Sequence, residues 1–118
     1  MNLLIYPSLS PDELAQVRAV SEGVEIVNAQ SEAEALAAIG EAEAMYGNLT
    51  PALLAQAAKL KWLQTPIAGL ENYMYAELAE SPVVVSNMAK IYNDMIADHA
   101  MTYILMFARG FHVYMWRQ

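Results

Sequence analysis

Residues 3–13 read Leu3-Leu4-Ile5-Tyr6-Pro7-Ser8-Leu9-Ser10-Pro11-Asp12-Glu13, and this stretch decides the fold. Four consecutive apolar residues closed by Pro7 and Ser8 suit a strand buried on both faces. Ser10 then supplies a helix N-cap, Pro11 stands at the first helical position, and Asp12 and Glu13 place negative charge in the first turn. Leu14, Val17 and Val20 follow at helical spacing, and Gly23 is the expected stop. A strand feeding directly into a capped helix is the opening half of a β-α-β unit.

The same unit recurs along the chain. Residues 24–27 read as a second strand, Ser31 caps a helix that ends at Gly40, and Ala44-Met45-Tyr46 is a third strand. Residues 47–51 form a turn into a helix over 52–58, after which Trp62-Leu63-Gln64-Thr65 is a fourth strand and 66–70 its turn. Residues 71–79 read as helix, Ser81-Pro82 interrupts it, and Val83-Val84-Val85 is a fifth strand by its β-branched content. Alternation of this kind predicts an α/β fold with a parallel sheet and helices on both faces. Short right-handed connections favour the flavodoxin-like strand order 2-1-3-4-5.

The last segment has a different character. Residues 94–115 read as one long helix whose apolar residues leave few polar positions, which calls for cover on all sides. The expected division is a flavodoxin-like domain over 1–93 and a long interdomain or dimerisation helix over 94–118, through which a homodimer forms.

With 57% apolar and 16% charged residues, the 118-residue chain carries little surface polarity for a monomer. Up to Ala58 eight acids face the single base Arg18, and the net charge of −7 lies in that half. Clustered Lys and Arg are lacking, which argues against nucleic acid or an anionic membrane as partner. The absence of cysteine excludes disulfides, thiolate metal sites and a cysteine nucleophile, and a reducing, cytoplasmic location is expected. No basic leader precedes residues 3–6, and the apolar run 100–108 is too short to span a bilayer.

In open parallel sheets ligands collect at the carboxyl ends of strands, here Pro7 and Ser8, Asn28, Gly47 and Asn48, residues 67–70, and Asn87. The turn at Ala68 and Gly69 is the most suggestive, because glycine lets the backbone approach a ligand and a helix start beyond it would favour an anion. A plain turn explains the same glycine. His99 and His112 read as packing residues, two distant histidines do not make a metal site, and the methionines read as interface filling.

Four segments in order carry a family resemblance: Leu60-Lys61-Trp62-Leu63-Gln64, Ala68-Gly69-Leu70-Glu71-Asn72, Val83-Val84-Val85-Ser86-Asn87 and Ile96-Ala97-Asp98-His99. Over roughly 60–109 the chain resembles the substrate domain of the D-isomer-specific 2-hydroxyacid dehydrogenases. The resemblance implies that backbone N–H groups of Ala68 and Gly69 hold the carboxylate of a small 2-keto or 2-hydroxy acid. Glu71 stands where that family usually has Asp, and Asp98 where it has Glu. The family uses NAD or NADP and takes its catalytic side chains from later sequence opening on a glycine-rich fingerprint. No G-x-G-x-x-G occurs among these residues, so the chain alone is expected to bind no cofactor, to supply no catalytic residue and to be inactive. The alternative is a stand-alone flavodoxin-like binding or dimerisation module.

Overall fold

A computed structural model describes residues 1–20 and 22–117, and the chain divides into two compact units, Met1–Met88 and Ala89–Gln118. Among the described residues the first contains five strands: β1 (Asn2–Tyr6), β2 (Glu25–Asn28), β3 (Ala44–Gly47), β4 (Trp62–Gln64) and β5 (Val84–Ser86). All neighbouring pairs are parallel and the order is β2-β1-β3-β4-β5, as the alternating pattern predicts.

Register explains where the core sits. Leu4 pairs with Val27 and Met45, Met45 with Leu63, and Leu63 with Val85, so one transverse row of apolar side chains crosses the sheet on one face. Leu4, Met45 and Leu63 are fully buried, in one cluster with Ala35 and Ile39 of α2 (Glu32–Ile39), Leu53 of α3 (Pro51–Leu54) and Leu78 of α4 (Ala76–Ala79). Burying a leucine of this kind contributes about 1.5–3 kcal/mol.

The opposite face is thinly covered. There Leu3, Ile5, Tyr46, Trp62 and Gln64 line a shallow groove with Val17 of α1 (Pro11–Val20), a helix without a fully buried residue. Trp62 is 44% and Val84 64% exposed on the sheet. The middle of β1 is nonetheless buried from both sides, since Leu4 and Ile5 are each 1% exposed.

The capping signals work as read. Ser10 and Glu13 form a capping box: the Ser10 N–H donates to Glu13 Oε2 at 2.9 Å and the Glu13 N–H to Ser10 Oγ at 3.4 Å. The Ser10 hydroxyl, which donates to Glu13 Oε2 at 2.6 Å, and after it the Ser10 N–H hold the Glu13 carboxyl below its usual range. Because the shift is downward, whatever the box adds to stability is present above the ordinary carboxylate pKa and is lost as pH falls through the lowered one. Ser31 and Thr50 cap α2 and α3 through Glu34 N–H and Leu53 N–H.

Three helices differ from expectation. The helix expected over 52–58 ends at Leu54, because Gln56 and Ala57 N–H bond three residues back, to Leu53 and Leu54, in tight turns that bring the chain round to β4. The helix expected over 71–79 is a 3-10 turn, Glu71–Tyr73, followed by α4, with Tyr75 extended at φ −92° and ψ 150° between them. Two tyrosines cause the break: the Tyr73 hydroxyl donates to Gly47 O and the Tyr75 hydroxyl to Leu49 O, each at 3.0 Å. Anchoring the two at the end of β3 and two residues past it is incompatible with a regular helix through residue 75. Desolvation raises both phenol pKa values, so the hydroxyls stay protonated donors.

In the second unit the helix expected over 94–115 is two, α5 (Asn93–Ala108) and α6 (Phe111–Met115). Gly110 adopts φ +65°, and Arg109 and Gly110 N–H close onto Leu105 and Phe107 carbonyls, which is a left-handed glycine stop. No residue of α5 is buried, and Met95, Ile96, Met101, Ile104, Leu105 and Phe107 are all exposed. No helix among the described residues is long and apolar enough to cross a membrane.

Candidate functional site

At the carboxyl edge of the sheet, several of the positions singled out in the sequence are occupied by the chain's own hydrogen bonds. Asn28 grips the loop after β1, accepting from Leu9 N–H at 2.9 Å and donating to Leu9 O at 3.0 Å. Between β1 and β3, Asn48 N–H donates to Tyr6 O at 2.7 Å and Gly47 O takes the Tyr73 hydroxyl. Gly47 has φ +124°, and a Cβ there would run into the Tyr6 carbonyl oxygen. The crevice between the carboxyl ends of β1 and β3, where the strand order reverses, is thus bridged by backbone.

The turn after β4 is different. Thr65, fully buried, continues the pairing through its N–H to Ser86 O at 2.8 Å. Beside it the Ser86 hydroxyl accepts from Trp62 Nε1–H at 2.7 Å and donates to Gln64 Oε1 at 2.6 Å, tying β4 to β5. Beyond Thr65 the turn is held only by its carbonyls. Ile67 O accepts from Met88 N–H at 3.0 Å and from the Thr65 hydroxyl at 3.3 Å, while Ala68 O accepts from Asn87 Nδ2 at 2.6 Å.

Peptide planarity converts these carbonyl bonds into a statement about the donors. The one cis bond among the described residues is Tyr6–Pro7, so the turn is trans and each N–H points opposite to the carbonyl of the same peptide unit. With Ile67 O and Ala68 O both drawn toward the end of β5, the N–H groups of Ala68 and Gly69 face away from it. Neither has an acceptor among the described residues. Ala68 is exposed and Gly69 half-buried. Two adjacent, outward, unpaired amide donors suit a carboxylate, and charge-assisted bonds of this type are each worth about 1.5–3 kcal/mol.

Two features differ from the sequence-based picture. The element after the turn is only the 3-10 turn, so a helix dipole would add little there and the peptide N–H groups are the donors that remain. The Glu71 carboxylate packs directly against the Cα of Gly69, where a Cβ would stand, so a negative side chain borders the donors. It would oppose an anion placed there, as would the net charge of −7. Sequence reasoning missed the supporting roles of Thr65 and of the Asn87 amide.

The other candidates lie elsewhere. His99 meets the edge of the Tyr103 ring at 4.7 Å, and His112 packs on Phe107 at 4.9 Å with its Nδ1 buried and without a partner. Among the described residues no group of three or more His, Asp or Glu is placed to hold a metal ion.

Residues 3–113 match the family model described as D-isomer specific 2-hydroxyacid dehydrogenase, catalytic domain. A solved phosphoglycerate dehydrogenase from Lactobacillus plantarum is 27% identical with a TM-score of 0.61, over 95% of this chain and 36% of that one. A D-isomer specific 2-hydroxyacid dehydrogenase family protein from Aeromonas salmonicida subsp. salmonicida A449 is 26% identical with a TM-score of 0.68, over 96% of this chain and 37% of that one. A protein from Pyrococcus horikoshii OT3, 19% identical with a TM-score of 0.66 over 94% of this chain and 34% of that one, shares the fold. The chain thus spans little more than a third of the length of these solved proteins. A search of curated proteins finds no match.

Proposed function

Because the chain belongs to the D-isomer specific 2-hydroxyacid dehydrogenase family, through its catalytic domain, we propose that it is the substrate-holding part of an NAD- or NADP-dependent oxidoreductase of D-2-hydroxy acids and 2-keto acids. In this reading the N–H groups of Ala68 and Gly69 take the two oxygens of the substrate carboxylate. The observation that carries it is the pair of unpaired amides facing away from β5. The clamp binds and orients, leaving the carbonyl or hydroxyl carbon directed outward from the turn.

The residues present do not fit a nicotinamide dinucleotide. The five glycines, Gly23, Gly40, Gly47, Gly69 and Gly110, nowhere form G-x-G-x-x-G on a strand-to-helix turn. We therefore derive no hydride-transfer step from these residues, and turnover by the 118-residue chain alone is not expected.

Pyruvate should bind the chain weakly, and its amide at least about tenfold more weakly, since the amide lacks the charge that strengthens both bonds. Calorimetry or chemical-shift titration reads the difference. Equal affinity for acid and amide, or no binding of pyruvate at all, would contradict the carboxylate reading.

A homodimer through α5 belongs to the same proposal. The exposed residues Tyr92, Met95, Ile96, His99, Ala100 and Tyr103 line one continuous, mostly apolar surface. Soluble monomers rarely leave such a surface bare. Light scattering on a size-exclusion column should give twice the 13.0 kDa of one chain, and a concentration-independent mass of 13.0 kDa would refute the dimer.

A further inference from the structure

The two donors of the turn are not held equally. Ile67 O is fixed twice, by Met88 N–H and by the Thr65 hydroxyl, so the Ala68 N–H on the same peptide unit is aimed by bonds close to the strands. Ala68 O has a single partner, the side-chain amide of Asn87 at 2.6 Å. The peptide it belongs to ends on Gly69, whose missing Cβ makes rotation of that unit inexpensive. Reversing it would turn the Gly69 N–H toward β5 and present a carbonyl oxygen to the ligand, converting a donor pair into a donor and a repelling acceptor.

We infer that Asn87 is a positioning residue: its amide, by holding Ala68 O, keeps the Gly69 N–H aimed outward as the second donor of the carboxylate clamp. The inference rests on the carboxylate reading for its functional meaning, while the orientation of the peptide is measurable without any ligand. Asn87 stands one residue beyond β5 and is half-buried. Its place in the sequence, 19 residues from Ala68, lets the end of one strand set the donor geometry at the end of its neighbour.

The test uses the full 118-residue chain, ¹⁵N-labelled, as wild type, Asn87→Ala and Asn87→Ser. In the wild type, N–H residual dipolar couplings of Ala68 and Gly69 should match the outward orientation of both. In both variants the Gly69 coupling should change while that of Ala68 and those of the sheet stay, which global unfolding would not produce. On titration with pyruvate, Asn87→Ala should lose most of the Gly69 amide shift, retain that of Ala68 and bind about tenfold more weakly. An unchanged Gly69 coupling in the variants, or a wild-type coupling at odds with the outward orientation, would overturn the inference. If the couplings behave as stated but pyruvate moves neither amide in the wild type, the carboxylate reading fails and the positioning of the peptide stands.

Discussion

Gly47→Ala should lower stability by about 3 kcal/mol or more and the thermal midpoint by roughly 10–20 °C, one of the two largest effects expected of a single substitution in this chain. Gly47 ends β3 at φ +124°, a conformation that an L side chain rarely adopts. Its Cβ would also collide with the Tyr6 carbonyl oxygen, which already receives the Asn48 N–H. Relief requires β1 and β3 to separate at their carboxyl ends, and that movement also disturbs the bond from the Tyr73 hydroxyl to Gly47 O. The strain and the lost bonds therefore add on the same few residues. Thermal or urea denaturation monitored by circular dichroism measures the effect, and a midpoint within about 2 °C of wild type would show that the crevice yields cheaply.

The second large effect falls on binding. Ala68→Pro removes one of the two proposed donors without altering charge, and should weaken pyruvate binding about 10- to 100-fold, the worth of one charge-assisted hydrogen bond. The Ile67 carbonyl keeps both of its partners, and the core residues Leu4, Met45 and Leu63 lie away from the change. Stability should therefore fall much less than affinity. Unchanged affinity in a folded variant would mean that the Ala68 N–H is not a ligand contact.

The β-α repeats made the strands legible because each carries its own local signal. Residues 3–6 are a continuous apolar run, residues 83–85 are all β-branched, and Ser10, Ser31 and Thr50 sit immediately before helices they cap. The order of the sheet followed from the handedness of short connections, a constraint that needs no knowledge of side-chain contacts. What failed was what depends on distant partners. The break at Tyr75 arises because Tyr73 and Tyr75 reach Gly47 and Leu49, each 26 residues away, and composition over 71–79 carries no trace of that. The stop at Gly110 was readable, since a glycine after an apolar helical run is the ordinary left-handed cap; the apolar pattern continuing through Phe111 and Val113 obscured it.

The site shows the same division. Gly69 drew notice as a glycine at a strand end, and the surrounding motifs carried the carboxylate expectation for Ala68 and Gly69. Asn87 was visible only as another strand-end position, because the role proposed for it depends on the pairing of β4 with β5 that brings it to Ala68 O. Glu71 retains the charge of the usual aspartate, but its extra methylene lets the carboxylate reach back against Gly69. That local charge opposes the proposed two-donor clamp, which is why binding by this chain is expected to be weak.

The most direct test of the central claim is an amide-resolved titration of the wild-type chain with pyruvate. The clamp predicts that the largest shifts fall on the Ala68 and Gly69 N–H groups, moving together with one dissociation constant. Saturable shifts confined to other residues, with Ala68 and Gly69 unmoved, would contradict it.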